Sequence, residues 1–192
     1  MRYMKHVIQA LDEQPLVQFG KYKFVINPLT EQIPATTAEL LQSATNWLLV
    51  EGNFKQATKI VGEEDKGGIL VASTSLATGL PFGMARWYPS GLEGQVAIAF
   101  DMEYTRGNLY LNGVNEEDRV IIVDDMISTG GTMLALVEAI QSARATIVDI
   151  ICVAEKVDYG GVEKVAEKTG YRVKSLLKIS TTGEKSKVIQ TL

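Results

Sequence analysis

The fold of this chain is decided by the stretch VIIVDDMISTGGT, which occupies positions 120–132. Its first four residues are apolar and β-branched, a run that is typical of a buried strand. The strand ends at two adjacent carboxylates, Asp124 and Asp125, and a loop of serine, threonine and glycine follows. An apolar helical pattern begins at Gly131, directly after the loop. A buried strand that turns at once into a helix indicates an α/β sheet.

The loop after this strand has the chemistry of a phosphate site. Small residues let several backbone N–H groups point at one anion at a helix N-terminus, and Ser128, Thr129 and Thr132 add hydroxyl donors. Asp124 and Asp125 would repel a bare phosphate, so we expect them to accept hydrogen bonds from sugar hydroxyls or to face Mg²⁺. A ribose 5-phosphate satisfies both halves of the motif. The alternative is an ordinary strand–turn–helix with capping aspartates.

Composition excludes several classes of protein. The chain has 192 residues, of which 46% are hydrophobic and 22% charged, as in an ordinary globular domain. The net charge of −4 argues against general nucleic-acid binding. One cysteine, Cys152, and one histidine, His6, exclude an intrachain disulfide and a zinc site of cysteines and histidines; a Ser-His-Asp triad would have to use His6. Short apolar runs and the polar N-terminus predict no membrane segment and a cytoplasmic location.

The rest of the chain predicts strands that alternate with helices, which indicates a parallel sheet covered on both faces. The predicted strands are 58–61, 80–86, 119–123, 146–154 and 172–179, and the predicted helices between them are 67–78, 131–143 and 162–168. Residues 95–111 predict either a β-ribbon or a mobile loop. Before the alternation come a helix over 2–14, a hairpin over 19–26 and a helix that ends near Gly52 and begins with a capping-box pattern, Thr36 to Glu39. Residues 1–32 are expected to form a small cap, so the chain divides into 1–52 and 53–192.

The segment from Val123 to Thr132 resembles the phosphoribosyl-pyrophosphate (PRPP) motif of type I phosphoribosyltransferases. The similarity extends over most of the chain and is greatest to the archaeal-type hypoxanthine/guanine and adenine enzymes. Positions 20–29 resemble the N-terminal hood of that family, and 91–94, 103–104 and 107–113 resemble its central loop. The resemblance implies an open, mostly parallel α/β sheet with helices on both faces and a small N-terminal hood.

The resemblance also implies an activity: Mg²⁺-dependent transfer of the 5-phosphoribosyl group from PRPP to a purine base, with release of pyrophosphate. The base would be adenine, hypoxanthine or guanine, the role nucleotide salvage, and the assembly a homodimer with no membrane or nucleic-acid partner. Two alternatives remain open: a PRPP-binding regulatory protein without transferase activity, and a transferase for another base such as orotate.

The site residues implied by the resemblance fall into five groups. Asp124 and Asp125 would contact the ribose hydroxyls and Mg²⁺ as the catalytic pair. The 5-phosphate would be bound by Ile127, Ser128, Thr129, Gly130, Gly131 and Thr132. The pyrophosphate would be bound by Glu64, Asp65, Lys66, Gly67 and Arg86. A flexible loop, about 95–113, would carry Glu103 and Tyr104. The base pocket would include Val25, Ile26 and Asn27 of the hood, and Glu155 after the next strand.

Two positions depart from the family pattern. Relatives commonly have Arg-Lys at the place of Arg86 and Trp87, and a proline near Glu93. The chain therefore has fewer cations for a pyrophosphate, and the resemblance implies a partner subunit as a source of charge. The acidic turn 62–68 is also open to a second interpretation, as a solvated charged turn.

Overall fold

The computed structural model describes residues 2–102 and 105–192, with side chains for 4–99 and 107–192. The helices are α1 (Arg2–Leu11), α2 (Ala38–Glu51), α3 (Gly68–Thr78), α4 (Gly131–Ser142) and α5 (Gly161–Thr169). The strands are β1 (Leu16–Phe19), β2 (Tyr22–Val25), β3 (Lys59–Glu63), β4 (Phe82–Arg86), β5 (Val96–Met102), β6 (Thr105–Leu111), β7 (Arg119–Ile127), β8 (Thr146–Lys156), β9 (Lys174–Ser180) and β10 (Lys187–Thr191).

The main sheet has eight strands in the order β10-β9-β8-β7-β3-β4-β6-β5. Its five central strands, β9 to β4 in that order, run parallel. At one edge β10 pairs antiparallel with β9, and at the other β6 pairs antiparallel with both β4 and β5. The predicted open, mostly parallel α/β sheet is therefore confirmed. Of the two predictions for residues 95–111, the structure shows the β-ribbon, in which Val96 pairs with Leu111.

Helices cover both faces of this sheet, and β7 shows why its sequence is continuously apolar. Ile121 and Val123 pack into a core with α1, α2 and α3, while Val120 and Ile122 pack into a second core with α4 and α5. Successive side chains of a strand point to opposite faces, so a strand buried on both sides needs apolar residues at every position. No helix in the described ranges is both long and apolar enough to cross a membrane.

The N-terminal segment is divided between the core and a small hood. Helix α1, which the sequence placed in a small cap over residues 1–32, buries Val7 and Leu11 in the same core as α2. The hood proper, defined here as residues 16–34, consists of the two-stranded antiparallel hairpin β1–β2 and the loop after it. It is fixed from the other end of the chain, because Lys23 donates through its Nζ to the Gly183 carbonyl (2.9 Å) and through its backbone N–H to the Tyr159 hydroxyl (2.8 Å). The division at residue 52 remains a prediction.

Two sequence-based details are wrong, each for a local reason. Helix α2 is capped by the side chain of Thr37, which accepts from the backbone N–H of Leu40, whereas Thr36 donates to the Pro28 carbonyl. The expected capping box at Thr36 and Glu39 therefore does not form. Strand β10 was missed because it is mostly exposed and polar, and it lies at the edge of the sheet beside β9.

Candidate active site

Asp124 and Asp125 lie at the carboxyl end of β7, where the strand runs further than its apolar pattern predicts. Their exposed fractions are only 7% and 5%, and the Asp125 backbone N–H donates to Asp124 Oδ1 at 2.9 Å. Burial raises the pKa of both carboxyls, and the neighbouring charges of Asp125 and Glu63 raise the pKa of Asp124 further. A pair in this state is stabilised by any ligand that brings hydroxyl donors or positive charge to it.

Two glycines, Gly130 in the loop after β7 and Gly161 at the start of α5, determine the shape of that loop. Gly130 adopts a left-handed conformation (φ 78°) as the N-cap of α4, so the first N–H groups of that helix open toward the loop. The first residue of α5, Gly161, packs against the loop so closely that a Cβ there would stand 2.1 Å from the Ser128 carbonyl oxygen. The phosphate loop, defined as residues 127–132, is therefore supported by the start of α5 as well as by α4.

The turn after β3 approaches the same carboxylates. A Cβ on Gly67 would lie 2.6 Å from Asp124 Oδ1, so only glycine lets the turn come this close. The Asp65 backbone N–H donates to Glu63 Oε1 (2.8 Å), which also accepts from the indole N–H of Trp87. Burial raises the pKa of Glu63, and these two hydrogen bonds partly offset the rise. The tryptophan that departs from the family pattern thus satisfies a carboxylate beside the aspartate pair.

Glu64 and Arg86 do not line the cavity and contact each other instead. Glu64 accepts from the backbone N–H of Trp87 at 3.2 Å and from the Tyr88 hydroxyl at 3.3 Å. Arg86 Nε lies 3.8 Å from Glu64 Oε2 and is about half exposed. These contacts tie the end of β4 to the turn after β3.

The hood supplies the opposite wall of the site. Lys66 forms an ion pair with Glu31 of the hood loop, and its Nζ lies 4.9 Å from the centre of the Phe24 ring. Lys156, at the end of β8, places its Nζ 5.4 Å from the same ring and donates to the Lys23 carbonyl at 3.0 Å. Burial, followed by the charge of Lys66, lowers the pKa of Lys156 to about 8.

These three segments enclose one cavity of about 500 Å³ at the carboxyl end of the parallel strands. Open α/β sheets bind ligands at this edge. The volume lies in the range of small-molecule sites, and the lining combines buried carboxylates, a phosphate loop and two lysines. The arrangement can hold a phosphorylated sugar against the sheet and a flat ring against the hood.

Comparison with known proteins agrees with this geometry. A family model for the phosphoribosyl transferase domain matches residues 66–185. This chain belongs to the phosphoribosyltransferase family. A hypoxanthine/guanine phosphoribosyltransferase of Methanocaldococcus vulcanius is 42% identical over 89% of this chain and 92% of its own length. That of Methanocaldococcus jannaschii is 39% identical over 92% of this chain and 96% of its own length.

Solved structures of phosphoribosyltransferases share the fold. An adenine phosphoribosyltransferase from Thermoanaerobacter pseudethanolicus superposes with a TM-score of 0.76, at 24% identity, over 91% of this chain and 99% of its own. The Saccharomyces cerevisiae enzyme, complexed with adenine and an imino-altritol bisphosphate, gives a TM-score of 0.75 at 24% identity. It covers 92% of this chain and 99% of its own. Both sets of relatives carry purine phosphoribosyltransferase names, as the sequence predicted for this chain.

Most of the predicted site residues of this phosphoribosyltransferase meet at the cavity. Its lining includes the following predicted residues: Asp124, Asp125, Ile127, Ser128, Thr129, Gly130, Gly131, Thr132, Asp65, Lys66 and Val25. The remaining described residues of the prediction lie outside the lining: Glu64, Gly67, Arg86, Ile26, Asn27 and Glu155. Gly67 nevertheless touches Asp124, as its close approach shows. Glu103 and Tyr104 lie outside the described residues.

Two of the predicted base-pocket residues have structural partners instead of facing the cavity. Asn27 is fully buried, and its Oδ1 accepts from the backbone N–H groups of Leu29 and Thr30 at 2.9 and 3.0 Å. It holds the hood loop in shape. Glu155 accepts from the Ser175 hydroxyl at 3.0 Å, and the next residue of β8, Lys156, faces the cavity in its place. Successive side chains of a strand point to opposite faces, so a prediction that is displaced by one residue assigns the wrong face of the strand to the cavity.

Several residues that line the cavity were not among the individual site residues named from the sequence. These residues are Tyr22, Phe24, Thr30, Glu31, Glu63, Trp87, Gly107, Asn108, Met126, Met133 and Lys156. Of these, Glu63 lies in the turn 62–68 and Lys156 in the segment 154–156, which the resemblance places near the pyrophosphate and the base. Glu31 carried no signal of its role, because its partner Lys66 is distant in sequence.

The carboxylate pair fits the donors that Mg²⁺ prefers. Mg²⁺ is usually bound through one or two carboxylates together with substrate phosphates and water. Within residues whose side chains are described, no group of three or more histidines, cysteines, aspartates or glutamates is arranged as a metal cage. Asp124 and Asp125 are therefore the residues that could hold the ion jointly with a phosphorylated substrate.

Proposed function

We propose that this phosphoribosyltransferase transfers the 5-phosphoribosyl group of PRPP to a 6-oxopurine, hypoxanthine or guanine, with release of pyrophosphate. The observation that carries the proposal is the junction of two buried adjacent carboxylates with a phosphate loop at one end of the cavity. Capping aspartates alone would not be buried together with raised pKa values beside an open helix N-terminus.

The phosphate loop anchors the substrate. Backbone N–H groups at the start of α4 and the hydroxyls of Ser128, Thr129 and Thr132 bind the 5-phosphate. This places the ribose over β7, where Asp124 and Asp125 accept hydrogen bonds from its 2- and 3-hydroxyls. Mg²⁺, when bound, neutralises charge between the carboxylates and the pyrophosphate. Hydrogen bonds from the ribose hydroxyls stabilise the ionised form of Asp124 and Asp125, and this counteracts the rise in their pKa values that burial causes.

The protein then takes little part in the making and breaking of covalent bonds during the transfer. A purine nitrogen attacks C1 of the ribose as the bond from C1 to the pyrophosphate oxygen breaks, and positive charge develops on the sugar. Asp124 and Asp125, held in a site with little water, stabilise that charge more than they would in bulk water. Lys66 and the backbone of the turn after β3 bind the departing pyrophosphate. Holding both reactants in one cavity supplies much of the rate enhancement.

The choice of a 6-oxopurine is supported by Lys156. Its ammonium group carries only donors, so it fits a carbonyl oxygen at position 6 and not the amino group of adenine. Its Nζ lies 5.4 and 5.1 Å from the ring centres of Phe24 and Tyr159, and the Phe24 ring, which lines the cavity, offers an apolar wall for a flat base. The names of the relatives near 40% identity support the same base.

Three further proposals complete this function. The enzyme depends on Mg²⁺, as the carboxylate donors suggest; it acts in the cytoplasm; and it forms a homodimer. The dimer is supported by exposed apolar side chains on α3, at the start of β4 and just after β4, where Leu76, Phe82 and Tyr88 have exposed fractions of 89%, 46% and 58%. Light scattering after size-exclusion chromatography measures the assembly, and a monomeric mass at micromolar concentration would contradict it.

A pyrophosphate-release assay tests the function. PRPP and Mg²⁺ are supplied with hypoxanthine, guanine, adenine, xanthine or orotate separately. We expect turnover with hypoxanthine or guanine, and a kcat/KM for adenine lower by about tenfold or more, because position 6 of adenine carries an amino group and offers Lys156 no acceptor. Preference for adenine or orotate would refute the base assignment. Binding of PRPP by calorimetry without turnover of any base would instead support the regulatory alternative.

A matched pair of variants tests the role of Lys156. Lys156→Met keeps the length of the side chain and removes the donor, so kcat/KM for hypoxanthine should fall by about tenfold or more while that for adenine changes less. Lys168→Met, at an exposed position of α5, is the control and should change neither value.

A further inference from the structure

Lys66 is expected to bind pyrophosphate, yet its ammonium group is already occupied by the hood. Nζ forms an ion pair with Glu31 Oε1, and the two side chains are 30% and 22% exposed. The two residues come from opposite walls of the cavity, since Glu31 lies in the loop after β2 and Lys66 in the turn after β3. The pair therefore spans the entrance between the hood and the sheet.

The surroundings of the pair make the position of Lys66 dependent on Glu31. The ammonium groups of Lys66 and Lys156 lie 4.9 and 5.4 Å from the centre of the same Phe24 ring. Two positive charges at one ring repel each other, and the charge of Lys66 helps to lower the pKa of Lys156. Glu31 supplies the negative charge that offsets this repulsion at the hood side.

We propose that Glu31 is a positioning residue that competes with pyrophosphate for Lys66. In the free protein, Glu31 and Phe24 hold the Lys66 ammonium group against the hood. When PRPP or pyrophosphate binds, Lys66 exchanges its carboxylate partner for a phosphate oxygen. This inference rests on the proposed function, because it assumes that the turn after β3 receives the pyrophosphate group.

The exchange has two consequences. Anion binding must break one ion pair, so the affinity of the free enzyme for pyrophosphate is lower than its cations alone would allow. The same event removes a link between the hood and the sheet, so occupation of the pyrophosphate subsite loosens the wall that faces the base. By thermodynamic linkage these two effects are reciprocal. Ligand binding weakens the ion pair between the hood and the sheet, and that ion pair weakens ligand binding to the same extent.

Calorimetry with magnesium pyrophosphate and with PRPP tests the competition. Glu31→Gln keeps the shape of the side chain and removes the charge, so both ligands should bind about three- to tenfold more tightly. Lys66→Met should weaken both ligands. In the Lys66→Met background, Glu31→Gln should improve binding by less than about twofold, because that variant has no Lys66 ammonium group for the loss of the Glu31 charge to release. Glu167→Gln, at an exposed position of α5, is the matched charge control and should change nothing.

Thermal unfolding separates this role from a structural one. Without ligand, Glu31→Gln should lower Tm, because the pair between the hood and the sheet is lost. With saturating magnesium pyrophosphate the difference in Tm should shrink, since the natural chain has then broken the same pair. An equal loss of Tm with and without ligand, or unchanged or weaker ligand binding in Glu31→Gln, would overturn the proposal. Failure of the natural chain to bind either ligand would instead contradict the proposed function.

Discussion

The two walls of the cavity are built in different ways. The phosphate side is a single run of sequence, residues 124–132, in which strand, loop and helix follow without interruption. The hood side joins Phe24, Glu31, Lys66 and Lys156, which come from three separate segments (the hood, the turn after β3 and the end of β8) and meet through ion-pair and ring contacts. The phosphate side is defined by backbone and glycine contacts, whereas the hood side depends on contacts between charged side chains.

The largest expected effect belongs to the phosphate side. Asp125→Asn retains the shape of the side chain but removes the charge that, in the proposed function, stabilises the developing positive sugar. We expect kcat/KM for PRPP to fall by about 10²- to 10³-fold, measured as pyrophosphate release. The variant should fold, because it relieves repulsion within a buried carboxylate pair. Full activity in the folded variant would mean that the ribose does not lie over β7.

The second prediction concerns the support of the phosphate loop by α5. Gly161→Ala would place a Cβ 2.1 Å from the Ser128 carbonyl oxygen and force the loop to shift. We expect PRPP to bind about tenfold more weakly or worse, with a loss of about 1–3 kcal/mol in the free energy of unfolding. Calorimetry and chemical denaturation measure the two quantities.

Its neighbour Gly160 is the matched control. Gly160 has φ 63° and open space around it, so Gly160→Ala should cost stability through backbone strain alone, about 1 kcal/mol. PRPP affinity should remain close to that of the natural chain. Equal losses of affinity in the two variants would show that α5 does not shape the phosphate loop.

The third prediction is a pH dependence of stability. The pKa of Asp125 is higher in the folded chain than in the unfolded one, so the unfolded state releases its proton first as the pH rises. The natural chain without ligand should therefore lose stability relative to Asp125→Asn between about pH 4 and pH 7, by about 1–2 kcal/mol. Urea denaturation at several pH values measures this difference. A constant difference across that range would contradict the raised pKa.

The smallest expected effect is that of Arg86, which the sequence assigned to pyrophosphate. Its guanidinium lies beside Glu64 on the outer side of the turn, and it is about half exposed. Arg86→Met should raise the KM for PRPP by less than about threefold and change stability by less than about 1 kcal/mol. A much larger rise in KM would show that the turn rearranges around bound pyrophosphate, and it would restore the sequence-based assignment.

Sequence reasoning succeeded where a feature is local. The apolar run before Asp124 predicted the buried strand, and the glycines after it predicted both the loop and the start of α4. The parallel sheet followed from the alternation of strands and helices. Each of these features depends on residues only a few positions apart, so periodicity and turn chemistry are sufficient to predict them.

Sequence reasoning failed where contacts join distant segments. Nothing near Glu31 indicates that its partner is Lys66, and nothing near Trp87 indicates that its indole donates to Glu63. Asn27 was assigned to the base because it lies in the hood, although its amide is used within its own loop. Side-chain pairings of this kind depend on how the elements pack, which the sequence pattern of one element does not contain.

The close packing of Gly161 on Ser128 also bears on the thermodynamics of binding. A loop that is braced on its far side by the backbone of another helix has already lost much of its conformational freedom before any ligand arrives. Binding the 5-phosphate then costs little additional ordering entropy, and more of the contact energy appears as affinity. The cost of ordering is thus met during folding, by a helix that does not line the cavity.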